Sequence, residues 1–140
     1  MTGAIRILLA DDEVRFAASL AKVLSRRGFQ VTAVHSGQEA VAELERAAFD
    51  VVLLDLRMPK MDGLETLSEI RRRDKTLPVL ILSGHADLPS VAAALGKDIA
   101  HFIPKPCAVE TLVSAIEDAH ERKALADTAN QHLPPAGRPG

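Results

Sequence analysis

The sequence has few aromatic residues, and this limits what its core can be made of. Its 140 residues include four Phe and no Trp or Tyr, an aromatic share of 3%, whereas 47% of all residues are hydrophobic. We therefore expect a core of Val, Leu, Ile and Ala. The hydrophobic share is ordinary for a globular domain and excludes a wholly disordered chain. The length suits one domain.

Three further shortages exclude whole classes of protein. The single cysteine, Cys107, cannot form an internal disulfide, so a reducing cytoplasm is the expected setting. No apolar run approaches the roughly 18–20 residues of a membrane-spanning helix, and the run after Arg6 is too short for a signal peptide. Seventeen basic and nineteen acidic residues give a net charge of −2. A nucleic-acid module would need a basic surface, so we expect no direct DNA binding by this chain.

The sequence does contain a regular alternation of strand-like and helix-like segments. Apolar runs of strand length start at Ile5, Phe29, Asp50, Pro78 and Ile99. The segments between and after them have helical apolar spacing or helix-start signals, beginning at Val14, Ser36, Asp62, Asp87 and Val109. Five strands alternating with five helices predict an α/β fold, a doubly wound parallel sheet with helices on both faces.

The end of the chain differs in composition from the rest. We expect the helix over 87–95 to be short, and the final helix to run from Val109 to about Ala126. The last residues include Pro134, Pro135, Gly137, Pro139 and Gly140, which favour no helix and bury little. The sequence therefore predicts one domain over residues 1–126 and a disordered tail or linker stub over 127–140. It also predicts that no DNA-binding or enzymatic domain follows within these residues.

Polar residues collect at the carboxyl ends of the predicted strands, where ligands bind in open α/β sheets. Asp11 and Asp12 follow the first strand, Asp55 ends the third, Ser83 ends the fourth and Lys105 follows the fifth. Taken alone, the two N-terminal acids could simply start a helix, and Ser83 and Lys105 could be ordinary surface residues. Asp55 is harder to explain in this way, because a carboxylate at a buried strand end is costly without a partner.

The residue types at these strand ends indicate phosphoryl chemistry. Three neighbouring carboxylates either take up protons or hold a cation, and a ligand set made only of oxygens favours Mg²⁺ over Zn²⁺. A metal, an ammonium and a hydroxyl together suit a dianionic phosphoryl group. A carboxylate can then act as the nucleophile and form an aspartyl phosphate, and Asp55 is the central candidate.

These residues lie in motifs that resemble the receiver domains of bacterial two-component response regulators. The motifs are Leu8-Leu9-Ala10-Asp11-Asp12-Glu13, the run from Asp50 to Glu65, Ser83-Gly84-His85 and Phe102-Ile103-Pro104-Lys105-Pro106. The resemblance covers roughly Ile5 to Ala126. It implies a flavodoxin-like (βα)5 fold with strand order 2-1-3-4-5, and a histidine kinase or histidine phosphotransfer protein that phosphorylates Asp55.

The same resemblance implies a role for each matching residue. Asp12 is expected to bind Mg²⁺ directly and Asp11 mainly through water, while Asp55 is both a ligand and the phosphoacceptor. The backbone carbonyl of Arg57 is expected to be a further ligand. Lys105 is expected to contact a phosphoryl oxygen, with a cis bond to Pro106 holding it.

A second set of implied roles concerns the response to phosphorylation. Ser83 and Phe102 are expected to be the switch pair, with Ser83 moving to the phosphoryl group and the Phe102 ring turning inward. This repacks the output face, by which we mean the surface of the helix over 87–95, the fifth strand and the final helix. A downstream protein or a second receiver is the expected partner there. Arg57 and His85 flank the expected path of attacking water and so tune dephosphorylation.

Three rival interpretations were weighed against this one. A phosphatase of the haloacid dehalogenase type needs a second Asp two positions after the nucleophile, where this chain has Arg57. A receiver-like module that takes no phosphate would usually lack the acid pair, the acceptor or the lysine. A flavodoxin would need a phosphate-binding loop after the first strand, where this chain has acids. We therefore expect no turnover of a separate substrate.

Overall fold

The fold is described by a computed structural model that covers residues 3–56, 63–84 and 99–132. Within these ranges the strands are β1 (Arg6–Ala10), β2 (Gln30–Val34), β3 (Val51–Leu54), β4 (Val79–Ser83) and β5 (His101–Pro104). The helices are α1 (Val14–Arg26), α2 (Gly37–Arg46), α3 (Gly63–Arg73) and α4 (Val109–His132). The predicted helix over 87–95 lies outside the described residues.

All five strands form one parallel sheet in the order β2-β1-β3-β4-β5. This confirms the predicted flavodoxin-like topology. Because β1 and β3 are central neighbours in register from Ile7↔Val51 to Ala10↔Leu54, the residues that follow them emerge side by side. The backbone N–H of Asp55 donates to the carbonyl of Ala10 at 2.9 Å, which extends this pairing by one step.

Successive strand residues supply opposite faces of the sheet. Ile7, Leu9, Val51 and Leu53 belong to one apolar cluster, which includes residues of α1 and α4. Their neighbours in sequence, such as Leu8 and Val52, belong to a second cluster that includes residues of α2 and α3. The sheet is therefore buried on both faces, as expected of parallel strands with continuous apolar runs.

Local signals explain several of the element boundaries. The hydroxyl of Ser36 accepts a hydrogen bond from the N–H of Glu39 at 3.1 Å and so caps the start of α2, while the Glu39 carboxylate accepts from the N–H of His35 at 2.7 Å and not from Ser36; of the S-x-x-E capping box that the sequence predicts, only the Ser36 half is seen. The turn after α1 contains Gly28 at φ 97°, a conformation that side-chain-bearing residues rarely adopt.

Among the described residues, no helix is both long and apolar enough to cross a membrane.

The final helix is longer than the sequence interpretation allowed. The predicted end near Ala126 is wrong, because α4 continues to His132. Lys123 and Asp127 form an i,i+4 ion pair at 2.7 Å across the predicted end, and the first helix breaker after Ala126 is Pro134. Residues 127–132 are therefore helical, and residues 133–140 lie outside the described ranges, so the predicted division into a domain and a tail stays a prediction.

Candidate functional site

Three carboxylates meet at the carboxyl edge of the sheet. One oxygen from each of Asp11, Asp12 and Asp55 lies within 4.8 Å of an oxygen from each of the others. Asp11 is completely buried and Asp55 is 5% exposed, whereas Asp12 is more open to solvent. Oxygen ligands at this spacing could hold a hard divalent cation.

The backbone fixes the two buried acids from neighbouring strands. The N–H of Asp11 donates to the carbonyl of Val34 at 3.0 Å, which ties the residue after β1 to the end of β2. One carboxylate oxygen of Asp11 accepts a hydrogen bond from the N–H of Glu13 at 2.9 Å. The acids thus lie at the sheet edge because parallel pairing continues one residue past the strands.

Lys105 brings a positive charge into the acidic cluster from the loop after β5. Its Nζ donates to Asp11 Oδ2 at 2.7 Å and to Glu13 Oε1 at 2.8 Å, and it lies 3.7 Å from Asp55 Oδ2. Its side chain is 12% exposed. The peptide bond between Lys105 and Pro106 is cis, as the resemblance implied.

The electrostatic surroundings keep this ammonium charged. Burial acts to lower the pKa of Lys105, but hydrogen bonds to Asp11 and Glu13 and the charge of Asp55 outweigh it, so the pKa lies above its ordinary value. The Nζ atom also lies 4.3 Å from the centroid of the Phe16 ring, a cation–π distance. In the described chain Lys105 therefore supplies positive charge to an otherwise acidic site.

Of the other predicted site residues, Phe102 and the backbone of Ser83 lie within the described part of the chain. The backbone of Ser83 lies at the end of β4, paired in register with Pro104, but its side chain is outside the description. Arg57 and His85 are also outside the described residues. Phe102 is half-buried in β5 and packs against the apolar cluster that contains Leu54 and Ile81. Ser83 and Phe102 therefore lie on adjacent strands.

Three residues near the site were missed by sequence reasoning. Glu13 and Phe16 both contact Lys105; Glu13 is the N-cap residue directly before α1, and Phe16 lies in the first turn of that helix. His35 Nδ1 lies 3.1 Å from the carbonyl oxygen of Asp11. Because a carbonyl only accepts, that nitrogen carries the hydrogen. A third acid directly after the acid pair was the available signal for Glu13.

Comparison with known proteins finds a matching family profile and similar curated proteins. A profile of the response regulator receiver domain matches residues 7–117. The transcriptional regulatory protein GlrR of Escherichia coli K12 is 36% identical over 120 residues, which cover 86% of this chain and 27% of GlrR. The chain thus spans about a quarter of the length of this curated relative.

Solved structures are similar over nearly the whole chain. A response regulator receiver domain protein from Clostridium thermocellum superposes with a TM-score of 0.81 at 31% identity, covering 87% of this chain and 98% of the other. The response regulator TrrA from Thermotoga maritima, solved in complex with Mg²⁺ and BeF, gives a TM-score of 0.76 at 25% identity and covers 82% and 98% of the two chains.

Proposed function

Because this chain belongs to the response regulator receiver domain family of two-component systems, we propose that it is a phosphorylation-dependent switch that accepts a phosphoryl group on Asp55. The donor is a histidine kinase or a histidine phosphotransfer protein. The observation that carries the proposal is the convergence of Asp11, Asp12 and Asp55 with Lys105 at one sheet edge. A structural ion pair alone would need only one of the three acids.

Magnesium fits the donor set of this site. The ligands are Asp12 directly, Asp11 mainly through water, Asp55, and the backbone carbonyl of Arg57, which lies outside the described residues. A few carboxylate ligands with several retained waters are typical of Mg²⁺, whose bound form in TrrA supports the assignment. When bound, the ion neutralises charge that develops on the transferring group.

The chain's own residues carry the rest of the transfer. A carboxylate oxygen of Asp55 forms a new bond to phosphorus while the bond from phosphorus to the donor nitrogen breaks. The electron pair of that bond returns to the donor ring, which leaves as neutral imidazole when its second nitrogen carries a proton. Lys105 moves onto a phosphoryl oxygen and Ser83 donates a hydrogen bond to another.

The output is a change of surface and not the turnover of a substrate. Phosphorylated Asp55 draws Ser83 inward, and the Phe102 ring follows into the space, which repacks the output face. Arg57 and His85 control how readily water reaches the phosphoryl group. A protein contact at the output face, with a downstream protein or a second receiver, is the proposed route by which the receiver acts; the relative GlrR, a transcriptional regulatory protein much longer than this chain, is consistent with a downstream target.

The proposal is tested by measuring the intact mass after incubation with acetyl phosphate and Mg²⁺. The transfer then releases acetate, and we expect one phosphoryl adduct in the wild-type chain and none in Asp55→Asn. Asp127→Asn, a substitution of an exposed acid on α4, is the matched control and should be phosphorylated like the wild type. An adduct that persists in Asp55→Asn would overturn the assignment.

A further inference from the structure

Glu13, the first residue after the acid pair, uses its side chain for a long-range contact and not to cap the helix that follows it. Glu13 occupies the N-cap of α1, where a side chain normally accepts a hydrogen bond from the first turn of the helix, but it makes no such cap bond. Its carboxylate instead accepts from Lys105, which lies 92 positions further along the chain. An acid at a helix start interacts favourably with the helix dipole without needing a partner on another element, so the dipole alone does not explain this contact.

The contact determines where the lysine ammonium lies. Lys105 Nζ is within hydrogen-bond distance of Asp11 and Glu13 but 3.7 Å from Asp55, and the Phe16 ring lies 4.3 Å away. The three groups that hold it all come from the loop after β1 and the start of α1. The ammonium thus lies on the β1 side of the site, hydrogen-bonded to Asp11 and Glu13, while its 3.7 Å contact with the phosphoacceptor is an ion pair that is too long for a hydrogen bond.

We propose that Glu13 is a positioning residue that restrains Lys105 from reaching the phosphoryl group on Asp55. The inference rests on the proposed function, because the restraint matters only if Asp55 is phosphorylated. A bound Mg²⁺, which Asp11 would hold mainly through water, would compete with Lys105 for this buried carboxylate and so would weaken the Lys105–Asp11 contact. Of the groups that then still hold the ammonium, Glu13 and the Phe16 ring, Glu13 is the one with a negative charge and a hydrogen bond, and the need to leave it slows phosphorylation.

Two substitutions of Glu13 separate the effect of its contact with Lys105 from the effect of its negative charge. Glu13→Gln removes the negative charge, and Glu13→Asp keeps the charge but shortens the side chain by one methylene, so its carboxylate falls short of Lys105. The matched control is Glu45→Gln, since Glu45 is 52% exposed against 62% for Glu13 and forms a comparable ion pair, with Arg73 at 2.7 Å. Glu45 is on α2, away from the cluster.

The phosphorylation rate with acetyl phosphate is measured at Mg²⁺ concentrations that saturate each chain. We expect both Glu13 variants to accumulate the adduct about two- to fivefold faster than the wild type, the size expected of one largely exposed ion pair. Glu45→Gln should match the wild type. Calorimetric Mg²⁺ affinity should fall in Glu13→Gln, where local charge is lost, and stay unchanged in Glu13→Asp.

A second readout needs no phosphorylation. The ¹H–¹⁵N signal of the Lys105 ammonium in the metal-free chain should shift in both Glu13 variants and not in Glu45→Gln. An unshifted signal, equal phosphorylation rates, or a faster rate in Glu13→Gln alone would each overturn the restraint. A wild-type chain that forms no adduct, while the Lys105 signal still shifts in the variants, would instead show that the proposed function itself is wrong.

Discussion

At the scale of single residues, the central physical problem is the burial of carboxylates. Asp11 has no exposed surface and Asp55 has only 5%, and burying such charges without partners is costly. Lys105 and the N–H of Glu13 compensate Asp11 directly. The metal-free site therefore still has more negative than positive charge, and a divalent cation would relieve the excess.

We predict that Asp12→Ala lowers Mg²⁺ affinity strongly and nearly stops phosphorylation by acetyl phosphate. Asp12 is the most solvent-accessible of the three acids and the one expected to bind the ion directly. Titration calorimetry suits the measurement, because the chain has no Trp or Tyr to report binding by fluorescence. Asp11→Asn should have a smaller effect. Equal Mg²⁺ affinity in the wild type and Asp12→Ala would contradict the site.

The sequence allowed part of this site to be predicted, for a physical reason. Parallel strands end at one edge, so the strand-end acids and the lysine were expected to meet there. Glu13 and Phe16 were not foreseen as contacts of Lys105, because their partner is about 90 residues away and the approach depends on how the start of α1 lies relative to the loop after β5. Helix packing of this kind leaves no local pattern in the sequence.

At the scale of elements, one glycine determines how closely α3 approaches the end of β3. A Cβ atom built on Gly63 would clash with Cα of Leu56 and would lie 2.6 Å from the carbonyl oxygen of Asp55. The N–H of Gly63 also donates to the carbonyl of Leu56 at 3.1 Å. These neighbours are backbone atoms that cannot rotate away, so α3 can begin here only with glycine.

We predict that Gly63→Ala destabilises the fold by about 2–3 kcal/mol and slows phosphorylation of Asp55, because relief of the clash displaces the backbone beside the acceptor. Gly28→Ala is the informative comparison. It has open space around its Cβ but φ +97°, so it should cost about 1–2 kcal/mol and leave phosphorylation unchanged. Urea unfolding followed by far-UV circular dichroism measures the stability of the two variants, and the intact mass after incubation with acetyl phosphate and Mg²⁺ measures their phosphorylation. A fully stable, normally phosphorylated Gly63→Ala would contradict the close approach.

Element boundaries were predictable where the apolar pattern was continuous. The strand β3 starts at Val51, one residue after the predicted Asp50, and its four residues Val51–Leu54 are all buried. The end of α4 was not predictable in the same way, because its last turns bury little and Leu125 is 63% exposed. There the helix continues through polar residues supported by local ion pairs such as Lys123–Asp127.

At the scale of the whole molecule, the site and the expected output face share β5. Lys105 follows this strand and contacts the acids, while Phe102 within it packs against the cluster containing Leu54 and Ile81. One strand thus links the charged edge of the sheet to its apolar interior and to the flanking helix α4. A change at Asp55 therefore has a short physical path to the surface.

We predict that phosphorylation strengthens self-association or partner binding through the output face, and that Phe102→Ala weakens this gain. Phosphorylation can shift binding only by the difference in affinity between the two states, typically about 1–3 kcal/mol. Sedimentation of both forms, alone and with a candidate partner, measures the shift. Phe29→Ala is a useful control, because Phe29 lies in the other apolar cluster beside α1 and should cost stability without removing the response to phosphorylation. Tight, sequence-specific DNA binding by this 140-residue chain would overturn a protein contact as its output.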